Sequence, residues 1–94
     1  MANNLTPLEV SEALIGRLDQ IAAILGIDPK APYQWRPARG ERAAGDLPKV
    51  AYIRALLAHS DAHGLGLTAH HLIYGATRAE VDEILSRRQS LAAE

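Results

Sequence analysis

The stretch from Leu18 to Trp35, LDQIAAILGIDPKAPYQW, constrains this chain more than any other, because it reads as two short helices joined by a tight turn. Ile21, Ala22 and Leu25 recur at helical period, and Gly26 follows where a helix end needs a residue that tolerates positive φ. Asp28 then offers a carboxylate to free N–H groups, and Pro29 stands at the first helical position, where its missing N–H costs nothing. The spacing predicts a second helix from Asp28 to Trp35. Ala22 is small enough to let that helix cross the first closely, and Ile27 and Trp35 bracket it with apolar surface.

A chain of 94 residues, 48% hydrophobic, supports one small helical domain and is too short for two separate cores. It has no cysteine, which excludes disulfides and thiolate metal sites and fits a reducing cytoplasm. No apolar run approaches the roughly 18 residues of a membrane span, and MANNLTPLEV lacks the basic-then-apolar order of a signal peptide. A cytoplasmic protein without membrane contact is the expectation. The formal net charge of −1 hides an uneven distribution. Between Lys30 and Arg54 six bases (Lys30, Arg36, Arg39, Arg42, Lys49, Arg54) face only Glu41 and Asp46, whereas the segments on either side are net acidic. Positive charge thus gathers on and just after the second helix, the sign a phosphate backbone requires.

The rest of the chain fills in around this pair. Thr6, Pro7 and Glu9 form a capping box with Leu5 and Val10 as its staple, predicting a helix from Pro7 to about Ile15 with Val10, Ala13 and Leu14 buried. Arg36 to Asp46 has no apolar period and contains Pro37, Gly40 and Gly45, and reads as a surface loop. Leu47-Pro48 opens a helix to about His63 with Val50, Ile53, Leu56 and Leu57 on one side. Thr68 caps a short helix to Tyr74, stapled by Leu67 against Leu72. Thr77 and Glu80 cap a last helix whose Val81, Ile84, Leu85 and Leu91 make a narrow stripe, either a lid on the core or a dimer seam.

Ala22, Gly26, Asp28-Pro29 and Trp35 together resemble the helix-turn-helix of the phage Cro and repressor superfamily, including the Cro-like and YdaS-like small proteins. The resemblance covers roughly Leu14 to Ile73. Pro32 departs from it, standing where the family usually has Val, Ile or Ala; a proline there is expected to distort the first helical turn without breaking it. The resemblance implies an all-α fold, a small lambda-repressor/Cro-like bundle of five to six short helices containing a helix-turn-helix. Residues 1–75 would form the DNA-binding domain and residues 76–94 a C-terminal helix available for dimerisation. It also implies a phage or mobile-element type of transcriptional regulator that places residues 28–35 in the major groove of double-stranded DNA.

Lys30, Ala31, Tyr33 and Gln34 are then the residues facing bases: Lys suits guanine O6/N7, Gln suits adenine, and Tyr suits a phosphate or a thymine methyl. Arg36, Arg39 and Arg42 are candidate phosphate clamps. One short helix reads few base pairs, so a homodimer on an inverted-repeat operator is expected, with the Val81, Ile84, Leu85 and Leu91 stripe as seam. The rival reading is a helix-turn-helix that packs on a protein partner, as in a phage adaptor or terminase component. His59 and His63 lie at i, i+4, but two ligands without an HExxH pattern make no zinc site, and no nucleophile motif or phosphate-binding loop is present. No metal, cofactor or enzymatic activity is expected.

Overall fold

The computed structural model of the chain describes residues 4–93, with side chains described to residue 90. It is a predominantly helical small domain. Helix α1 (Pro7–Leu14) begins at the expected capping box: the Thr6 hydroxyl accepts from Glu9 N–H at 3.2 Å and the Glu9 carboxylate accepts from Thr6 N–H at 3.0 Å. Its buried side carries Leu8, Val10 and Leu14, together with Ser11, whose hydroxyl is satisfied by the Pro7 carbonyl at 2.9 Å. Helix α2 (Leu18–Leu25) buries Leu18, Ile21 and Ala22. It ends where the sequence predicts, with Gly26 at φ 70°. Gly26 N–H bonds Ala23 at 3.2 Å and Ile27 N–H bonds Ala22 at 3.0 Å, the paired bonds of a Schellman motif.

The next element corrects the expectation. Instead of an α-helix from Asp28, the chain makes a turn and then a 3-10 helix over Ala31–Trp35. Pro32 is the cause: without an N–H it cannot bond the Asp28 carbonyl four residues back, so that carbonyl takes Ala31 N–H at 2.9 Å instead. Tyr33 N–H to Lys30 at 3.2 Å continues the three-residue spacing. Asp28 caps no helix; its carboxylate accepts from Lys30 N–H at 2.8 Å and tightens the turn. The burial pattern fits the same geometry, since residues three apart eclipse in a 3-10 helix and both Pro32 and Trp35 are buried.

Helix α3 (Val50–His63) buries Leu56 and Ser60 and half-buries Tyr52, Ile53 and Leu57. Val50, expected in the core, is 60% exposed, because the helix begins at that residue and Leu47 packs against the core from the preceding loop. Helix α4 (Ala69–Tyr74) is capped by Thr68, with Leu67 and Leu72 buried beside it. A pairing the sequence gives no sign of follows: strand β1 (Asn4–Leu5) runs antiparallel to β2 (Ala76–Thr77), Asn4 opposite Thr77 and Leu5 opposite Ala76. Helix α5 (Arg78–Ala93) then closes the core with the fully buried Val81. Ile84 and Leu85 pack against the same cluster, and the Arg88 guanidinium ties α5 to the Leu14 carbonyl at 2.9 Å. Of the α5 stripe, Val81 is fully buried and Ile84 and Leu85 are half-buried against the same cluster, so the helix covers the core and leaves part of the stripe exposed, while the Leu91 side chain lies outside the described residues.

Candidate nucleic-acid interface

The 3-10 helix divides its residues by threes. Pro32 and Trp35 face inward, so Lys30, Tyr33 and Arg36 form the outward ridge, and Ala31 and Gln34 flank it. Lys30 and Gln34 are exposed, Tyr33 is 47% exposed, and Ala31 is half-buried. The Arg36 guanidinium lies over the Tyr33 ring, 5.0 Å from its centroid, an arrangement that holds a cation and an aromatic face together at the surface. Arg36 also approaches Glu12 of α1 at 3.7 Å; both side chains are partly solvated, so this is a weak tether that a phosphate can displace.

Trp35 fixes the ridge from below. It is 7% exposed and its ring stacks on Tyr52 of α3 with centroids 5.5 Å apart and planes 26° apart. Lys49 Nζ in turn sits 5.5 Å from the Tyr52 centroid. Lys49 counts toward the local positive charge in the sequence but stands apart from the ridge there; its i, i+3 relation to Tyr52 is the signal that connects the two. Arg54, also exposed, lies two residues further along α3.

The Arg36–Asp46 loop is ordered by its backbone. Arg39 and Arg42 exchange both N–H to carbonyl bonds, at 2.9 and 3.0 Å, closing a two-residue hairpin with Gly40 at φ 61° in its first central position. Arg39 is exposed at this hairpin. Further along, Gly45 donates to the Trp35 carbonyl at 2.8 Å and its own carbonyl accepts from Leu8 N–H at 2.9 Å, so the loop is anchored both to the ridge and to the start of α1.

Arg42 is placed differently from Arg36 and Arg39. Its guanidinium turns into the loop, where Nη1 donates to the carbonyls of Trp35 (3.0 Å), Asp46 (3.2 Å) and Ala43 (3.4 Å). Nη2 donates to Gln34 (3.1 Å) and Pro37 (3.3 Å). The group expected to meet phosphate is engaged with five backbone carbonyls. The physical reason is local: the carbonyls at the end of the 3-10 helix lack helical partners, and a guanidinium supplies enough donors to satisfy several at once.

Elsewhere, a cavity of about 530 Å³ lies between α4 and α5, lined by Thr68, His71, Glu80, Glu83, Arg87 and Arg88 among others. His71 is buried and occupies the third position of the α4 capping box, its Nδ1 accepting from Thr68 N–H at 3.1 Å. Burial pushes its pKa below the ordinary 6.5, against an opposing pull from Glu80 and with a smaller push from His70. The His59 and His63 rings lie 4.4 Å apart, yet among the described residues no group of three or more His, Asp or Glu side chains is placed to hold a metal ion. Among the described residues no helix is long and apolar enough to cross a membrane. No protein family, curated protein or solved structure matches this chain.

Proposed function

We propose that the protein is a sequence-specific, duplex-DNA-binding transcriptional regulator of the phage Cro/repressor type, acting in the cytoplasm. The observation that carries this reading is the outward ridge of Lys30, Tyr33 and Arg36, flanked by exposed Gln34 and Arg39 and backed by the stacked Trp35 and Tyr52 rings. A ridge of cations around an aromatic face, with one amide able to read a base edge, matches a polyanion that displays hydrogen-bonding groups in a groove. A 3-10 helix of five residues spans roughly 10 Å and meets only a few base pairs. Specificity therefore calls for two copies on an inverted repeat. Of the α5 stripe, Val81 is spent on the core, while Ile84 and Leu85 are half-buried and keep surface that a seam between such copies can use.

Selection of duplexes from a random pool, followed by binding titrations across salt, tests the reading. Five outward cations (Lys30, Arg36, Arg39, Lys49, Arg54) bound the slope of log K against log salt to about −4.5 per chain, and Arg39→Gln flattens it by about 1. Gln34→Ala changes preference at one base position by roughly 1–3 kcal/mol. A protein that enriches no sequence and shows no salt dependence favours the rival, a helix-turn-helix-like module docking on a protein. Sedimentation that finds single chains both free and on the selected duplex removes the dimer.

A further inference from the structure

We propose that Arg42 is a positioning residue that pre-forms the Arg36–Asp46 loop as a rigid grip for the DNA backbone and never itself meets a phosphate. This rests on the DNA-binding reading above. The first observation is stoichiometric. Nη1 has two hydrogens and faces three carbonyls, and Nη2 faces two more, so the fork is saturated by Trp35, Asp46, Ala43, Gln34 and Pro37. No N–H of either terminal nitrogen remains for an outside acceptor, and the single Nε–H cannot by itself make the two-pronged bond by which a guanidinium grips a phosphate.

The second observation is where those acceptors lie. Gln34 and Trp35 end the 3-10 helix, Pro37 begins the loop, and Ala43 and Asp46 end it, so one side chain clamps entry to exit. The cations that project from the clamped segment are Arg36 and Arg39, with Glu41 also exposed at the hairpin tip, and the hairpin between Arg39 and Arg42 fixes the latter's own backbone. An eleven-residue segment rich in Gly, Ala and Arg would otherwise lose its conformational freedom on binding, at the expense of affinity. Holding it in the bound shape beforehand removes that loss. Lysine cannot replace arginine here, because a single ammonium has three donors on one nitrogen and no fork to span carbonyls on both sides of the loop.

Charge-preserving exchanges separate positioning from contact. Arg39→Lys keeps a point charge at the phosphate and is expected to bind selected duplex within about threefold of wild type. Arg42→Lys is expected to weaken binding about tenfold, with the salt slope unchanged because no phosphate contact has been lost. Arg42→Lys binding like wild type, or Arg42→Gln flattening the slope by about 1, overturns the proposal, since both are the marks of a direct phosphate contact. Amide hydrogen exchange reads the ordering without DNA: the Arg39, Arg42 and Gly45 N–H groups are expected to be protected in the free wild type and to exchange faster in Arg42→Lys. If Arg42→Lys does not fold, the wild type decides alone. Protection already present in the free protein supports a pre-formed grip, and protection that appears only with duplex overturns it. A wild type that binds no duplex overturns the DNA reading and the grip with it, while unprotected loop amides in the free protein overturn the ordering whatever binding shows.

Discussion

Gly45 is where the loop, the ridge and the first helix meet, and Gly45→Ala measures what that junction contributes. Its φ of +80° lies in the left-handed region, where alanine costs about 1–2 kcal/mol. The added methyl would also overlap Cβ and Oγ1 of Thr6, the N-cap of α1, so Thr6 must move. Moving it gives up the hydroxyl's bond to Glu9 N–H, a cap worth about 1 kcal/mol, and strains the Gly45 carbonyl bond to Leu8 N–H, worth about another 1. The total is about 3–4 kcal/mol. For a domain of this size each kcal/mol shifts Tm by about 4–8 °C, so the melt moves down by about 12–30 °C.

Gly40 supplies the control. Its φ of +61° is as demanding, but a methyl there meets nothing within 4 Å, so Gly40→Ala loses only the backbone term and about 4–16 °C. Thermal melts followed by far-UV circular dichroism compare the two. In a Thr6→Gly background the overlap partner is gone, and the cost of Gly45→Ala is expected to fall toward that of Gly40→Ala. Equal melts for the two single variants, or an unchanged cost in the Thr6→Gly background, would refute the claim that the loop docks on the α1 cap.

His71 titrates below its unfolded value, so its neutral form favours the fold: the stability it contributes is complete above pH 6.5 and is lost as pH falls through the lower folded-state pKa. Urea melts between pH 7.5 and 5 are expected to show that loss, and His71→Gln, which keeps a capping acceptor but cannot be protonated, to reduce it; an identical pH dependence in the variant would exclude His71 as its source. Pro32→Val supplies the N–H that an α-helical bond to the Asp28 carbonyl needs, and is expected to keep the fold with a stability change under about 1.5 kcal/mol and slightly more helical signal; an unfolded variant would show that the 3-10 geometry is indispensable. Removing residues 77–94 strips the buried Val81 and its neighbours Ile84 and Leu85 from the core together with half of the strand pairing, a loss of several kcal/mol against a typical total of about 5–15. Calorimetry of the remaining fragment is expected to show no cooperative transition, and a sharp one would return α5 to the role of an independent appendage.

What could be read from the sequence followed the range of the interactions. The Thr6 and Thr68 caps and the Gly26 stop depend on partners within a few residues, so the residues that make them also announce them. Val10 with Leu14, Ile21 with Ala22, and Leu56 belong to stripes of helical spacing and are buried accordingly, whereas Ala13 is only half-buried and Leu8, outside the expected stripe, is buried. Val50 misled because a periodic stripe says nothing of where a helix starts, and a start at Val50 leaves its first side chain beyond the core. The pairing of Asn4–Leu5 with Ala76–Thr77 joins segments too short to show an alternating pattern and far apart in the chain. Pro32 was the subtler case. A proline at the first helical position is harmless, but Pro32 stands four residues after Asp28, where its missing N–H removes the first α-helical bond, and the three-residue repeat that results buries Pro32 and Trp35 on one side.

The candidate site divides along the same line. Lys30, Tyr33, Gln34, Arg36 and Arg39 are all solvated, as residues outside any apolar stripe tend to be, and their charge and order in the chain sufficed to group them. Arg42 has the same residue type and sits in the same loop three residues on, and its flanking Glu41 and Ala43 give no sign that it differs from Arg39. The difference lies in five carbonyls that come within reach only after the 3-10 helix has ended and the hairpin has turned. An arginine in a loop is thus either a surface charge or a clasp according to whether the backbone around it leaves carbonyls unpaired. In this chain the clue is Pro32, whose effect on the preceding turn produces the short helix and hence carbonyls at Gln34 and Trp35 without helical partners, which Arg42 joins, at Trp35 beside the Gly45 N–H.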